Sequence, residues 1–340
     1  MKALSVVVCA SLSLCTAGPF VLRSEPPDWR RATEHAGWSP RDSCGEVVFK
    51  GRMWLLGGWL SSYADPPRDV WSSADGATWK QETQEAAWKH SDLPTTLAFD
   101  DKMWIMGGWH GGRLEHATAS NEVWSSTDGV KWTQATRSAG WSPRLGAAGV
   151  VFKGKMWLLG GVQKYYFGDS SDLKNDVWCS ADGVVWEQVT AAAPWSARAY
   201  HAAVALDDKI WVFGGGNYLP GYVAHNDVWS SSDGVHWERA TEHAPWSPRI
   251  WFSAEVYRGR MWVLGGWSNN PSKNWNDVWH SADGKTWTEL KTPTTWSTRH
   301  EHSVFVFQDK LWIAGGNTSP LVNDVWQLDL PKDWKPDAIN

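Results

Sequence analysis

The sequence predicts an all-β fold, a six-bladed β-propeller with four antiparallel strands per blade, and three observations carry that prediction. A Gly-Gly pair recurs six times, ending at Gly58, Gly108, Gly161, Gly215, Gly266 and Gly316, at spacings of 50, 53, 54, 51 and 50 residues. Each copy repeats the same order of short extended segments and turns, with no 3.6-residue periodicity between them. The stretch "DWRRATEHAGWSPR" from Asp28 nearly duplicates "HWERATEHAPWSPR" from His236. The N-terminus therefore reads as the outer strand of the last unit, residues 29–33 closing the ring and hiding its edge.

Each element has its own signal. The first strand follows the "WSPR" element and is small and apolar on both faces, as in residues 144–152, "RLGAAGVVF". A two-residue Lys-Gly, Asp-Asp or Arg-Gly turn then predicts a hairpin into the second strand, "KMWLLGG" in the third copy. A loop of variable length leads to the third strand, "NDVW", and a "SADG" turn leads to the fourth, "VVWEQVT". Of the thirty tryptophans, 25 fall into four repeat columns. Thin sheets stacked face to face need large apolar side chains, and an indole buries on the order of 150–250 Å², so these columns read as packing. Five tryptophans stand outside them: Trp59, Trp109, Trp251, Trp267 and Trp275. All but Trp251 lie in the loops between strands two and three, where aromatic side chains on variable loops predict a binding surface.

Composition narrows the function. The chain of 340 residues is 42% hydrophobic and 20% charged, enough to bury a large core. Its net charge of -5 lacks the basic footprint that a phosphate backbone demands, so nucleic acid is excluded as a partner. Residues 1–17, a lysine, an apolar run and small residues, read as a cleaved secretory signal too short to span a membrane. The expected division is a signal at 1–17, a short linker at 18–27 and the propeller at 28–340, secreted or periplasmic and monomeric. Cys44 and Cys179 fall at unlike places in different copies, which argues against a disulfide scaffold.

Over residues 28–330 the double glycine, the tryptophans of strands three and four and the arginine opening strand one resemble Kelch repeats of the single-domain, galactose oxidase-like kind. The second copy departs, with Ser91 where the others carry Arg41, Arg144, Arg198, Arg249 and Arg299. The resemblance implies that the strand 2–3 and strand 4–1 loops share one face over the central channel, with these five arginines near its mouth. Guanidinium groups there suit bidentate recognition of carboxylate or phosphate. The alternative is that each arginine satisfies carbonyls or an acid of the adjacent blade.

Residues that break the repeat are the sharper signals. Six positions after the arginine slot the copies read Val47, Leu97, Val150, Val204, Glu255 and Phe305, so Glu255 is a candidate general base in an apolar column. Glu46 and Glu301 are lesser candidates, expected on the same innermost strands. His300 and His302 are expected on one side of a strand, and His201 matches His302. With no partner spacing fixed, no metal is assigned. Phosphate-loop, zinc-helix and nucleophile-elbow motifs are missing, and the copper constellation of galactose oxidase does not map, so no cofactor is expected. The favoured reading is a non-catalytic exported module that holds a glycan or protein ligand with Trp59, Trp109, Trp267, Trp275 and the five arginines. The competing one is a sugar-acid isomerase resembling the Kelch-type sialic acid mutarotases, with Glu255 as its base.

Overall fold

The computed structural model describes residues 25–335 except 167, 219 and 220; the expected signal segment, most of the expected linker and the tail from Pro336 lie outside them. The described chain forms six four-stranded antiparallel sheets, two small two-stranded ones and a single 3-10 turn at Ser170–Asp172. The innermost strands are Gly45–Phe49, Thr95–Phe99, Ala148–Phe152, Ala202–Leu206, Ser253–Tyr257 and Ser303–Phe307. Each meets the next, and the sixth meets the first, so the ring is closed. The innermost strand of blade 3 starts at Ala148 rather than at 144, because the preceding residues are drawn into a belt described below.

The hairpin turns behave as their chemistry dictates. Both residues of each turn have positive φ, 45° and 70° at Lys50 and Gly51, 50° and 53° at Asp100 and Asp101. This is the mirror-image turn whose twist matches that of the flanking strands. In all six blades the tryptophan before Gly-Gly donates its indole N–H back across this hairpin, as Trp54 does to the Phe49 carbonyl at 3.0 Å. The "SADG" glycine of the next blade lies flat on that ring; a Cβ on Gly129 would stand 2.1 Å from Trp54. Blade 6 has no such turn, and Trp334 from the C-terminal segment packs against Trp262 instead, 5.9 Å between ring centroids.

The tryptophans of the "WSPR" elements meet those of strand four edge to face: Trp38 with Trp79, Trp88 with Trp132, Trp141 with Trp186, Trp195 with Trp237 and Trp246 with Trp287. The sixth pair is Trp296 with Trp29, at 6.1 Å. Trp29 therefore occupies the strand-four slot of blade 6, and Asp28–Thr33 pairs antiparallel with Val325–Asp329. Trp29→Ala, at a site only 1% exposed, is expected to cost about 3–5 kcal/mol. Denaturant unfolding checks this, and an unchanged midpoint would remove the closing strand from the stability of the ring.

Candidate functional site

The repeat arginines are consumed inside the blades. Arg198 places Nη1 2.6 Å and Nη2 2.9 Å from the two carboxylate oxygens of Asp227, while Nη1 also donates to the Gly214 carbonyl and Nε to that of Ser196. Arg41, Arg144, Arg249 and Arg299 repeat the arrangement with Asp69, Asp176, Asp277 and Asp324. The acid is thus the blade's own strand-three aspartate, not one from the adjacent blade, and its second oxygen also accepts the indole N–H of the strand-three tryptophan two residues on. In blade 2 both partners change together: Ser91 bonds the Pro67 carbonyl, and Glu122 replaces the aspartate. All five arginines are buried, and they leave few donors for a ligand.

Two residues follow each arginine slot at the channel mouth, the first largely buried and the second lining the cavity. The second of them has positive φ in every blade, at Ser43, Leu93, Gly146, Tyr200, Trp251 and Glu301. Around the ring the N–H of Ser43 donates to Glu301, Leu93 to Ser43, Gly146 to Leu93, Tyr200 to Gly146 and Glu301 to Trp251, at 2.8–3.1 Å. Ring contact at 5.4 Å joins Tyr200 to Trp251. The six residues form a belt, and all of them line a central cavity of about 550 Å³. Glu301 accordingly sits in this belt rather than on an innermost strand. Its turn separates His300, at the mouth, from His302, which is buried against Trp296 at 5.2 Å, so the two histidines do not share a side.

The residue just before each belt position pairs with the one after Gly-Gly: Asp42 with Trp59, Asp92 with Trp109, Leu145 with Val162, Ala199 with Gly216, Ile250 with Trp267 and His300 with Asn317. These bridges sew the strand 2–3 loops onto the strand 4–1 loops, which places both sets on one face. The mouth is divided as a result. Blades 6, 1 and 2 contribute His300, Glu301, Asp42, Ser43 and Asp92. Blades 3, 4 and 5 contribute an aromatic wall in which Tyr165 stacks on Tyr166 at 4.1 Å, Tyr218 lies 4.5 Å from Trp251, and Trp267 packs on Trp251 at 5.7 Å. Tyr222 completes it against Tyr218, and Arg113 covers the Tyr166 ring at 4.0 Å.

Of the tryptophans assigned to binding, Trp267 stands in this wall, half-buried, and Trp109 is buried at its edge against Tyr165. Trp59 lies beside the acidic half. Trp275 is apart, donating to Ser268, with the Arg249 and Lys273 cations over its ring; it and Trp267 lie not in a loop but on the strands Ser272–Ser281 and Arg260–Asn269, which extend into one long hairpin. Sequence reasoning passed over Asp42, Asp92 and Tyr200; comparing the copies one and two residues after the arginine would have exposed them.

Deeper in the cavity stand Glu46 and Glu255. Burial pushes the Glu255 carboxyl up to about 7. Burial and the neighbouring Glu255 push Glu46 up to about 8, against hydrogen bonds from Ser303 and Val304. On the outer rim, Asp65 from the blade 1 loop meets His116 at 2.7 Å and His110 at 3.4 Å from the blade 2 loop, beside a second cavity of about 430 Å³. Cys44 and Cys179 are free thiols, and among the described residues no helix is long and apolar enough to cross a membrane.

Comparison with known proteins agrees with this architecture. The KLHDC2/KLHL20/DRC7 Kelch-repeats domain matches residues 170–336. The flagellar outer arm dynein alpha chain of Chlamydomonas reinhardtii is 32% identical over 136 residues, 38% of this chain. Beta-scruin of Limulus polyphemus is 30% identical over 166 residues, 46% of this chain. The matches span only 3% and 17% of those two proteins. The solved structure of YjhT superposes with a TM-score of 0.67, covering 87% of this chain and 96% of that one at 16% identity, a likeness of fold. With six closed blades, the double glycine in each and the repeats matched over residues 170–336, the chain is a six-bladed β-propeller built of Kelch-type repeats.

Proposed function

We propose that this propeller is an exported binding module whose mouth holds a neutral glycan. The observation that supports it best is the split mouth. The wall of Tyr218, Trp251 and Trp267 offers flat apolar faces of the kind that stack on the C–H face of a sugar ring, and Glu301, which lines the cavity opposite, accepts hydrogen bonds from hydroxyls. An anionic ligand is disfavoured, because the repeat arginines that would receive it are bound within their own blades. Export rests on the reading of residues 1–17.

Glycan-array binding followed by titration of the best ligand tests the proposal. Trp267→Ala and Tyr218→Ala, at half-buried positions on the strand Arg260–Asn269 and the blade 4 loop, are expected to weaken binding by at least about tenfold each, on the order of 1–2 kcal/mol. Unaltered affinity in both variants would rule out the wall as the binding surface.

One arrangement favours the isomerase as a second reading: Glu255, with its carboxyl near neutrality, lines the same cavity, and Arg113 is a cation at the mouth. Ring-opening activity lost in Glu255→Gln with binding retained would support that reading, whereas binding without turnover in the native protein supports the module.

A further inference from the structure

The acidic half of the mouth contains more than hydrogen-bond acceptors require. Asp42, Asp92 and Glu301 bring three carboxyl groups together in a buried place, Asp42 and Asp92 only 2% and 1% exposed. Among the described residues, no lysine or arginine is paired with any of them. Asp42 accepts from Ser43 at 3.3 Å and from Asn317 at 3.1 Å. Both carboxylate oxygens of Asp92, and Oε1 of Glu301, are buried without a hydrogen-bond partner; the neighbouring Ser43 only moderates their charge.

His300 sharpens the picture. Its Nδ1 faces Asn274 Oδ1 at 2.8 Å, and the Asn274 amide nitrogen is committed to the Asn317 carbonyl at 3.1 Å. The asparagine is therefore the acceptor, His300 carries its proton on Nδ1, and Nε2 presents a lone pair. Nε2 lies 3.5 Å from Glu301 Oε2. A lone pair facing a carboxyl oxygen is repulsive unless something electropositive, the acid's own proton or a cation, lies between. Ligand atoms of Asp42, His300 and Glu301 all lie within 4.8 Å of one another, and a second partner orienting a ligating histidine is the usual companion of a metal site.

We propose that Asp42, Glu301 and Nε2 of His300 form a site for a divalent cation of the Mn²⁺ type, with Asp92 supplying a further carboxylate beside it. Two or three carboxylates and one imidazole are a mixed, oxygen-rich donor set, which suits Mn²⁺ better than the softer metals. The cation neutralises acids that the fold otherwise buries side by side, and it sits against the aromatic wall, because Trp251 stacks on His300 at 5.2 Å. The inference rests on the acidic half alone and does not depend on the glycan reading.

The test is titration of the full-length protein with MnCl₂, with free Mn²⁺ followed by electron paramagnetic resonance. His116→Ala, which breaks the exposed Asp65–His110–His116 cluster, serves as the background, since that rim cluster is the other such group among the described residues. One Mn²⁺ is expected per chain in wild type and in His116→Ala. Glu301→Gln and Asp42→Asn are expected to weaken it about tenfold or more, and Asn274→Ala, which touches no ion, severalfold. Absence of saturable binding up to about 1 mM overturns the proposal, as does loss of the ion in His116→Ala or undiminished affinity in both acid variants. Should the acid variants fail to fold, electron spin echo of Mn²⁺-loaded His116→Ala decides: modulation from one coordinated imidazole nitrogen upholds the site, and its absence refutes it.

Discussion

Arg198→Ala is expected to lower the stability of the propeller by about 3–5 kcal/mol, and the double variant Arg198→Ala/Asp227→Ala by distinctly less. The guanidinium is fully buried and bidentate to Asp227. Removing it strands a buried carboxylate that has already given up its water, whereas removing both groups leaves no lone charge behind. Urea unfolding of the four corners of this mutant cycle measures the difference. Equal losses in the single and double variants would show that the clamp acts through shape alone. The pH dependence is fixed by the aspartate. Burial alone would raise the Asp227 carboxyl, but the Arg198 hydrogen bonds and charge outweigh it and hold the group below its ordinary range. The stabilisation is therefore complete above the unfolded pKa of about 3.9 and is lost as pH falls through the folded value. Asp176, Asp277 and Asp324 behave alike, so the clamps weaken together in acid.

Glu46→Gln is expected to act in the opposite direction and at the other end of the pH scale. Burial and the neighbouring Glu255 hold the Glu46 carboxyl at about 8, so the folded state keeps a proton that the unfolded chain releases near about 4.3. A raised acid contributes its stabilisation below the unfolded pKa and loses it as pH rises through the folded one. Ionising Glu46 inside the cavity thus costs on the order of a few kcal/mol by about pH 9. Glu46→Gln should match wild type near pH 4 and exceed it increasingly toward pH 9 in denaturant titrations, and Glu255→Gln should repeat the trend more weakly. A stability difference that does not change with pH would mean that water reaches both carboxyls.

The frame was readable in the sequence because packing in a repeat is written six times. The Gly-Gly pairs, the turn residues and the tryptophan columns each had a physical reason that local sequence carries, and Trp29 fell into its slot because its neighbours duplicate those of Trp237. The fate of the arginines was not readable in the same way. The aspartate of "NDVW" stands 25 to 32 residues from the arginine it holds, and only the fold shows that both enter one sheet. The belt was missed for a different reason. Positive φ at Tyr200, Trp251 or Glu301 is imposed by the closed ring and contradicts what those residues prefer alone. The mouth residues therefore look like loop filler until the copies are compared slot by slot.

The belt also bears on how such a molecule can change its preferences. Its backbone bonds run from blade to blade whatever side chain is attached, and the occupants range from Gly146 to Trp251 with no β-branched residue among them. Six positions around one opening can thus be exchanged singly, each facing inward, while the sheets that support them stay as they are. Descendants of one scaffold can diverge in what they hold by editing a handful of codons, without first having to find a new way to fold.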